Sequence, residues 1–216
     1  MARSRLSVME PVGVGNEVAH GFIVDTLRFL FRTLFRVRLE QSRSLPDGPV
    51  IVAANHRSFL DPMVMGAVVD RRVFFVMSAF YYDKPILNRI YRLERCIPVE
   101  DSADNRTALR AGKSVLDADR VLGIFPEGRI SVDGTLQEGQ PGTAWLAAKT
   151  GAQVYPLWIG GTREVLPKGR WLPRFRQITA KMGDPLSMAK YPSGREGQRL
   201  FTEDLMAALK ELGRDS

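Results

Sequence analysis

The sequence predicts an α/β fold: one domain built on a mostly parallel mixed sheet flanked by helices, preceded by an N-terminal amphipathic helix. Three observations carry that prediction. Short β-branched apolar runs such as PVIVAAN (49–55), RRVFFVMS (71–78) and VLGIFPEG (121–128) recur along the chain, and runs of that length and composition read as buried strands. Segments of helical period separate them, the alternation expected of a largely parallel sheet. With 216 residues, 44% of them hydrophobic, the chain has enough material for one domain of ordinary size.

Residues 1–18 hold Gly and Pro without a useful period and read as a flexible arm. HGFIVDTLRFLFRTLFRVRLE then sets Asp25, Arg28, Arg32 and Arg36 at intervals of three or four, a polar stripe on a helix spanning 19–40. Ile23, Leu27, Leu30, Phe31 and Leu34 fall on the opposite side, and Phe22 and Phe29 widen the apolar arc. The segment is too interrupted by arginine to cross a bilayer. It suits the headgroup layer, with Arg28, Arg32 and Arg36 toward phosphates. Packing of the apolar face on the domain core is the other reading, and the two are compatible.

SLPDGP (44–49) is a turn. PVIVAAN is a strand, PMVMGAVVD a helix with proline at its first position, RRVFFVMS a second strand, YDKPILNRIYRLE (82–94) a basic helix and CIPVE a third strand. Residues 102–117 have a helical period. VLGIFPEG is a strand ending in a Gly turn, GTAWLAAKTGA a helix closed by Gly151, and VYPLWIGG a strand. QITAKMGDPLS is a last strand and turn, and FTEDLMAALKELG an amphipathic helix.

The formal charge of +7 and pI near 9.8 point to an anionic partner. Nucleic acid is not expected, because basic residues alternate with acidic ones and no recognition motif is present. One cysteine, Cys96, excludes an intrachain disulfide, and two distant histidines, His20 and His56, make a zinc site improbable, so no metal is predicted. No stretch reaches the ~20 apolar residues of a membrane span. The first residues lack the apolar core of a signal peptide, which predicts a cytoplasmic protein.

His56 follows an apolar strand, and the ends of strands are where open α/β sheets place their sites. Asp61, five residues on, can reach the imidazole if the chain turns tightly. A carboxylate on one ring nitrogen fixes the tautomer and leaves the other free to accept a proton. Equally, Asp61 before Pro62 could be a helix N-cap and His56 a turn residue. A second segment breaks the tie: GIFPEGRISVDGT places Glu127, Gly128 and Arg129 at another strand end. Glycine lets a ligand approach the backbone, and arginine offers a planar fork for phosphate. Two polar clusters at two strand ends predict a shared cleft.

NHRSFLD resembles the histidine–four residues–aspartate motif of the glycerolipid acyltransferases, the family of 1-acylglycerol-3-phosphate and lysophospholipid acyltransferases. FPEGRIS is similar to that family's third motif and VYPLWIGGT to its fourth, in the family's order, over about residues 45–187. The resemblance marks 45–216 as the acyltransferase domain. Two departures stand out. Where the second motif has Gly and Arg, RCIPVED has Arg95 and Asp101; in the third motif Arg129 and Ile130 occupy the Thr and Arg positions. With the AWLAAKTGA helix, these features resemble the 2-acylglycerophosphoethanolamine acyltransferase branch.

The resemblance implies transfer of a fatty acyl group from a thioester, acyl-CoA or acyl carrier protein, to the hydroxyl of a lysophospholipid, 1-acylglycerol-3-phosphate first among them. These are co-substrates; no cofactor is expected. It implies His56 as general base oriented by Asp61, with Glu127 and Gly128 binding acceptor and Arg129 contacting its anion. Arg95, Arg106 or Arg129 would hold the phosphate. Asn55 either holds the turn or polarises the thioester carbonyl. Ser58 beside the histidine is a turn hydroxyl rather than a nucleophile, since no G-x-S-x-G elbow is present. The expected setting is peripheral, at the cytoplasmic face of an anionic membrane. The alternatives are an inactive lipid-surface binding protein of the same fold, and an acyltransferase for another acceptor such as lysophosphatidylethanolamine or a glycolipid.

Overall fold

A computed structural model describes residues 17–78, 96–99, 106–166 and 172–214. The expected helix at 82–94, most of the expected arm, and Arg95 and Asp101 lie outside the described residues.

The chain opens with helix α1 (Glu17–Leu34) and strand β1 (Arg38–Gln41), then strand β2 (Val50–Ala54), helix α2 (Asp61–Val68), strand β3 (Val73–Ser78) and strand β4 (Ile97–Val99). Helix α3 (Arg106–Asp117), strand β5 (Val121–Ile124), helix α4 (Gly142–Thr150) and strand β6 (Gln153–Gly160) follow. The short helix α5 (Thr162–Val165), strand β7 (Thr179–Met182), a 3-10 turn (Met188–Lys190) and helix α6 (Arg195–Leu212) complete the described part.

The seven strands form one sheet in the order β1-β7-β6-β2-β5-β3-β4. Every pairing is parallel except β6 with β7. The α/β class and mostly parallel mixed sheet expected from the sequence are therefore the architecture found. β2 sits centrally between β5 and β6, and all five of its residues are fully buried. Its pleat feeds both cores. Val50, Val52 and Ala54 face the cluster that includes Phe31, Phe35, Val64 and Met65 under α1 and α2. Ile51 and Ala53 face Leu122, Leu146, Phe201 and Leu205 under α3, α4 and α6. Period-two alternation and burial on both sides give such a strand its unbroken apolar run.

The first helix is shorter than its pattern predicts. The expected helix over 19–40 stops at Leu34, and Arg38–Gln41 pairs with β7 as a strand. Arg36 adopts φ 44°. The Val37 N–H donates to the Arg32 carbonyl at 2.8 Å and the Arg36 N–H to Thr33 at 3.3 Å, a Schellman closure. Arginine occupies the left-handed position where glycine is usual, so the sequence carries no stop signal there. The helix and the turn after it bury Phe31 and Phe35 on the core, side chains worth about 2 kcal/mol each when withdrawn from water. Those two lie at the edge of the apolar arc, so Phe29, Leu30 and Leu34 remain more than half exposed.

Candidate active site

The parallel register aligns β2 and β5 so that Ala53 sits opposite Ile124. The segments leaving their carboxyl ends therefore emerge side by side, and the His56 turn meets the Phe125–Gly128 turn. The His56 N–H donates to Glu127 Oε1 at 2.7 Å, the Gln137 N–H donates to Glu127 Oε2 at 2.8 Å, and the Ser131 N–H donates to the His56 carbonyl at 2.8 Å. The two turns carrying the polar clusters thus meet, and His56, Gly128 and Arg129 line one cleft.

His56 Nδ1 lies 2.9 Å from Asp61 Oδ2, and that oxygen also accepts the N–H groups of Arg57 (2.6 Å) and Ser58 (2.7 Å). Asp61 Oδ1 accepts the Thr162 hydroxyl at 2.6 Å. Asp61 is the first residue of α2 and Leu60 the N-cap, so the carboxylate folds back over the turn instead of capping the helix. It is wholly buried. A buried carboxylate is tolerable only with this density of donors. The imidazole face stacks on Phe125 with ring centroids 4.0 Å apart and planes 15° from parallel. The ring is thus fixed in direction by Asp61 and in plane by Phe125. With Nδ1 donating to Asp61, the neutral imidazole presents Nε2 as a proton acceptor.

His56 and Arg129 line an apolar cleft of about 580 Å³ together with Phe75, Met77, Leu109, Gly112 and Leu146. Arg129 also lines a polar groove, shared with Glu127, Gln137, Glu138 and Gln140. Its guanidinium is exposed, lies 3.5 Å from Gln137 Oε1 and forms no ion pair among the described residues. Gly128 sits at φ 68°, which an L side chain resists, so glycine is required by the turn itself. The arrangement can hold a chain-like apolar group beside a proton acceptor, with an arginine for an anion.

Several expected site residues have other work. Asn55 was expected either to hold the turn or to polarise the thioester carbonyl. Its amide nitrogen donates to the Ile159 carbonyl at 2.9 Å and its oxygen accepts the Ile159 N–H at 2.7 Å, and the residue is 1% exposed. It staples β2 to β6. Glu127 was likewise expected to bind acceptor, yet both its oxygens serve main-chain N–H groups and it is 4% exposed. It is a strut between the two turns. Burial raises its carboxyl above the ordinary range, against the opposing pull of the Gln137 and His56 N–H groups. Arg106 is exposed at the start of α3 and is not among the cleft-lining residues. Arg28 and Arg32 line a groove between α1 and α2 with Asp25 and Asp70, and Arg36 is exposed at the helix end. The Ser58 hydroxyl donates to the Leu166 carbonyl at 3.2 Å, as expected of a turn hydroxyl.

Other contributors were not visible in the sequence. Arg57 lays its guanidinium 5.2 Å from the Trp158 ring centroid and donates through Nε to the Gly134 carbonyl at 2.7 Å. Arg163 donates to the Asp133 carbonyl. Together they clamp the loop that carries Arg129. Asp133 closes that loop, its carboxyl drawn down to about 2 by the N–H and hydroxyl of Thr135 and by Ser131. Thr162, 101 residues from Asp61 in the chain, stood in the fourth motif as GGT, the one local signal that could have flagged it.

The acyltransferase family model matches residues 36–160, more than half of the chain. The chain is 27% identical over 139 residues to a chloroplastic 1-acyl-sn-glycerol-3-phosphate acyltransferase of Arabidopsis thaliana, covering 62% of this chain and 39% of that protein. It is 30% identical over 134 residues to a 1-acyl-sn-glycerol-3-phosphate acyltransferase of Chlamydomonas reinhardtii, covering 58% and 38%. The chain thus spans about two fifths of the length of these curated relatives. The crystal structure of PlsC, the 1-acyl-sn-glycerophosphate acyltransferase of Thermotoga maritima, superposes with a TM-score of 0.71 at 25% identity, covering 94% of this chain and 85% of that one.

Proposed function

The chain belongs to the acyltransferase family, and from that premise we propose that it moves a fatty acyl group from a thioester to the free hydroxyl of a lysophospholipid, with 1-acylglycerol-3-phosphate the leading acceptor. The observation that carries this is the His56–Asp61 pair, 2.9 Å apart, with His56 in the lining of an apolar cleft. The acyl chain of acyl-CoA or acyl carrier protein lies along Phe75, Met77, Leu109 and Leu146, and its thioester carbonyl reaches His56. The acceptor hydroxyl attacks that carbonyl as Nε2 takes its proton. The new C–O bond forms, the C–S bond breaks, and the proton passes from the imidazolium to the leaving thiolate. Asp61 holds the ring and stabilises its transient positive charge. Arg129 meets the acceptor's phosphate from the polar groove. A base of this kind is worth about 10²–10⁴ in rate.

The reaction belongs at a membrane surface, where both lipid substrate and product reside, and the cytoplasmic face of the cell membrane is the proposed location. No helix among the described residues is long and apolar enough to cross a bilayer. Phe29, Leu30 and Leu34 stand exposed on α1, and Phe175 stacks against the buried Phe35 ring at 6.2 Å from outside, an apolar surface suited to the headgroup boundary.

The test is release of free thiol from palmitoyl-CoA in the presence of lysophosphatidate, with the lipid product identified by mass spectrometry. Wild type is expected to release thiol and form diacyl product, and His56→Ala to lose at least about a hundredfold in kcat. Equal thiol release by the two proteins sinks the proposal.

A further inference from the structure

We propose that Thr162 is a positioning residue for the His56 base: its hydroxyl, carried past the end of β6, anchors the second oxygen of Asp61 and through it the direction of the imidazole. The inference rests on the reading of His56 as general base.

The two oxygens of Asp61 are unequally served. Oδ2 accepts three donors, His56 Nδ1, the Arg57 N–H and the Ser58 N–H, all from within five residues of the aspartate. Oδ1 accepts Thr162 Oγ1 at 2.6 Å and no other donor among the described residues. A carboxylate pinned through one oxygen can still swing about that pin. Two anchors at opposite ends of the group fix its plane, and the imidazole bonded to it inherits that plane. Both Asp61 and Thr162 are fully buried, so an Oδ1 deprived of this donor is a buried acceptor left without a partner.

The fold supplies the hydroxyl deliberately. Gly161 stands at φ 86°, where a Cβ would come within 2.5 Å of the Gln177 carbonyl oxygen, so only glycine turns the chain from β6 into α5 at this point. That turn delivers Thr162 to the start of α2. The Asn55–Ile159 pair of hydrogen bonds holds the ends of β2 and β6 together, and the Ser58 hydroxyl reaches the Leu166 carbonyl just past α5. The short helix is thus tied to the His56 turn near both of its ends. The charged groups nearby are otherwise occupied. Arg57 is over Trp158, Arg163 is on the 132–134 loop, and Glu127 is on the His56 and Gln137 N–H groups. The neutral hydroxyl of Thr162 is the donor left for Oδ1.

Thr162→Val keeps the shape and removes the donor, whereas Thr162→Ser keeps the donor. Two readouts are compared: kcat and KM for palmitoyl-CoA and lysophosphatidate, and the ¹⁵N resonances of His56. The chain holds two histidines, so His20→Gln leaves a single imidazole in the spectrum. Thr162→Val is expected to lower kcat about 10- to 100-fold, the usual cost of a small misplacement of a reacting group. KM should stay within about twofold, because no substrate contact is lost. The His56 signals should move from a single tautomer toward an average of two, and Thr162→Ser should restore both readouts. Wild-type kcat and unmoved His56 signals in Thr162→Val overturn the inference, as does equal loss in the Ser and Val variants. If Thr162→Val fails to fold, Thr162→Ala and Thr162→Ser are compared, and equal kcat in those two overturns it. If His56→Ala is fully active, the general-base reading fails while the imidazole spectra still decide whether Thr162 orients the ring. If His56→Ala is inactive and Thr162→Val is not impaired, only the positioning inference falls.

Discussion

Replacing Asp61 by asparagine separates the charge of the pair from its geometry. The amide oxygen can take the place of Oδ2 and accept from His56, Arg57 and Ser58. The amide nitrogen then falls at Oδ1, where the Thr162 hydroxyl can rotate and accept instead of donating. The number of hydrogen bonds is conserved, so the fold should stand. In the proposed mechanism, the negative charge beside the imidazolium of the transition state is lost. With Nδ1 and Oδ2 2.9 Å apart, the charge centres lie about 4 Å from one another, worth about 4 kcal/mol at an effective dielectric constant near 20. The neutral hydrogen bond that remains returns about 1 kcal/mol of this. The net loss of about 2–3 kcal/mol corresponds to a fall in kcat of about 30- to 150-fold. Thiol release under saturating palmitoyl-CoA and lysophosphatidate measures it, and a thermal melt checks the accommodation. A kcat within about threefold of wild type would refute the electrostatic role. A melting temperature lowered by more than about 10 °C, equivalent to several kcal/mol in a domain of this size, would refute the accommodation by Thr162.

Glu127→Gln puts an amide NH₂ against one of two main-chain N–H donors, so it should destabilise by about 1–3 kcal/mol at neutral pH in urea unfolding. The pH dependence has a definite sign: the Glu127 carboxyl is raised in the fold, so its ionisation costs stability above that raised value and the cost is relieved as pH falls toward 4.5. Wild type should therefore gain on Glu127→Gln between pH 7 and 4.5, and a gap that shrinks instead contradicts the burial argument. Gly123→Ala would drive a Cβ into the Phe75 ring and to 2.8 Å from Met65 Sδ, an overpacking expected to cost about 1–3 kcal/mol in the same unfolding experiment. Gly112 lines the apolar cleft, and a Cβ there would sit 3.1 Å from Leu122 Cδ2 and 3.4 Å from Leu146 Cδ1. Gly112→Ala should shift the acyl-CoA preference toward shorter chains, read from product masses in competition, and an unchanged profile would place the acyl chain elsewhere.

Six of the seven strands and most helices were legible because their signals are local; β1 lay inside the expected first helix. β2 lies within PVIVAAN because a β-branched run buried on both faces has no other stable arrangement in an α/β sheet, and Gly151 closes α4 at φ 70° as its position after the helix suggested. The end of α1 was not legible, because Arg36 adopts a left-handed conformation that glycine would have announced. The polarity of the sheet was partly hidden too: the alternation of helices and strands signalled parallel pairing, but not that β7 would run antiparallel to β6 while pairing in parallel with β1.

The site divides along the same line. His56 and Asp61 lie five residues apart, so a tight turn alone can bring them together, and the sequence by itself determined that an imidazole and a carboxylate stand within reach of each other. Whether Asp61 would cap the helix or turn back to the imidazole was decided by the tertiary structure. So were the tasks of Asn55 and Glu127, because each meets partners from strands or loops distant in sequence. Thr162 reaches Asp61 across 101 residues only because the sheet sets β6 beside β2. A side chain's chemistry is written in its identity, but which of its lone pairs are already filled depends on neighbours that only the packed sheet brings within 3 Å.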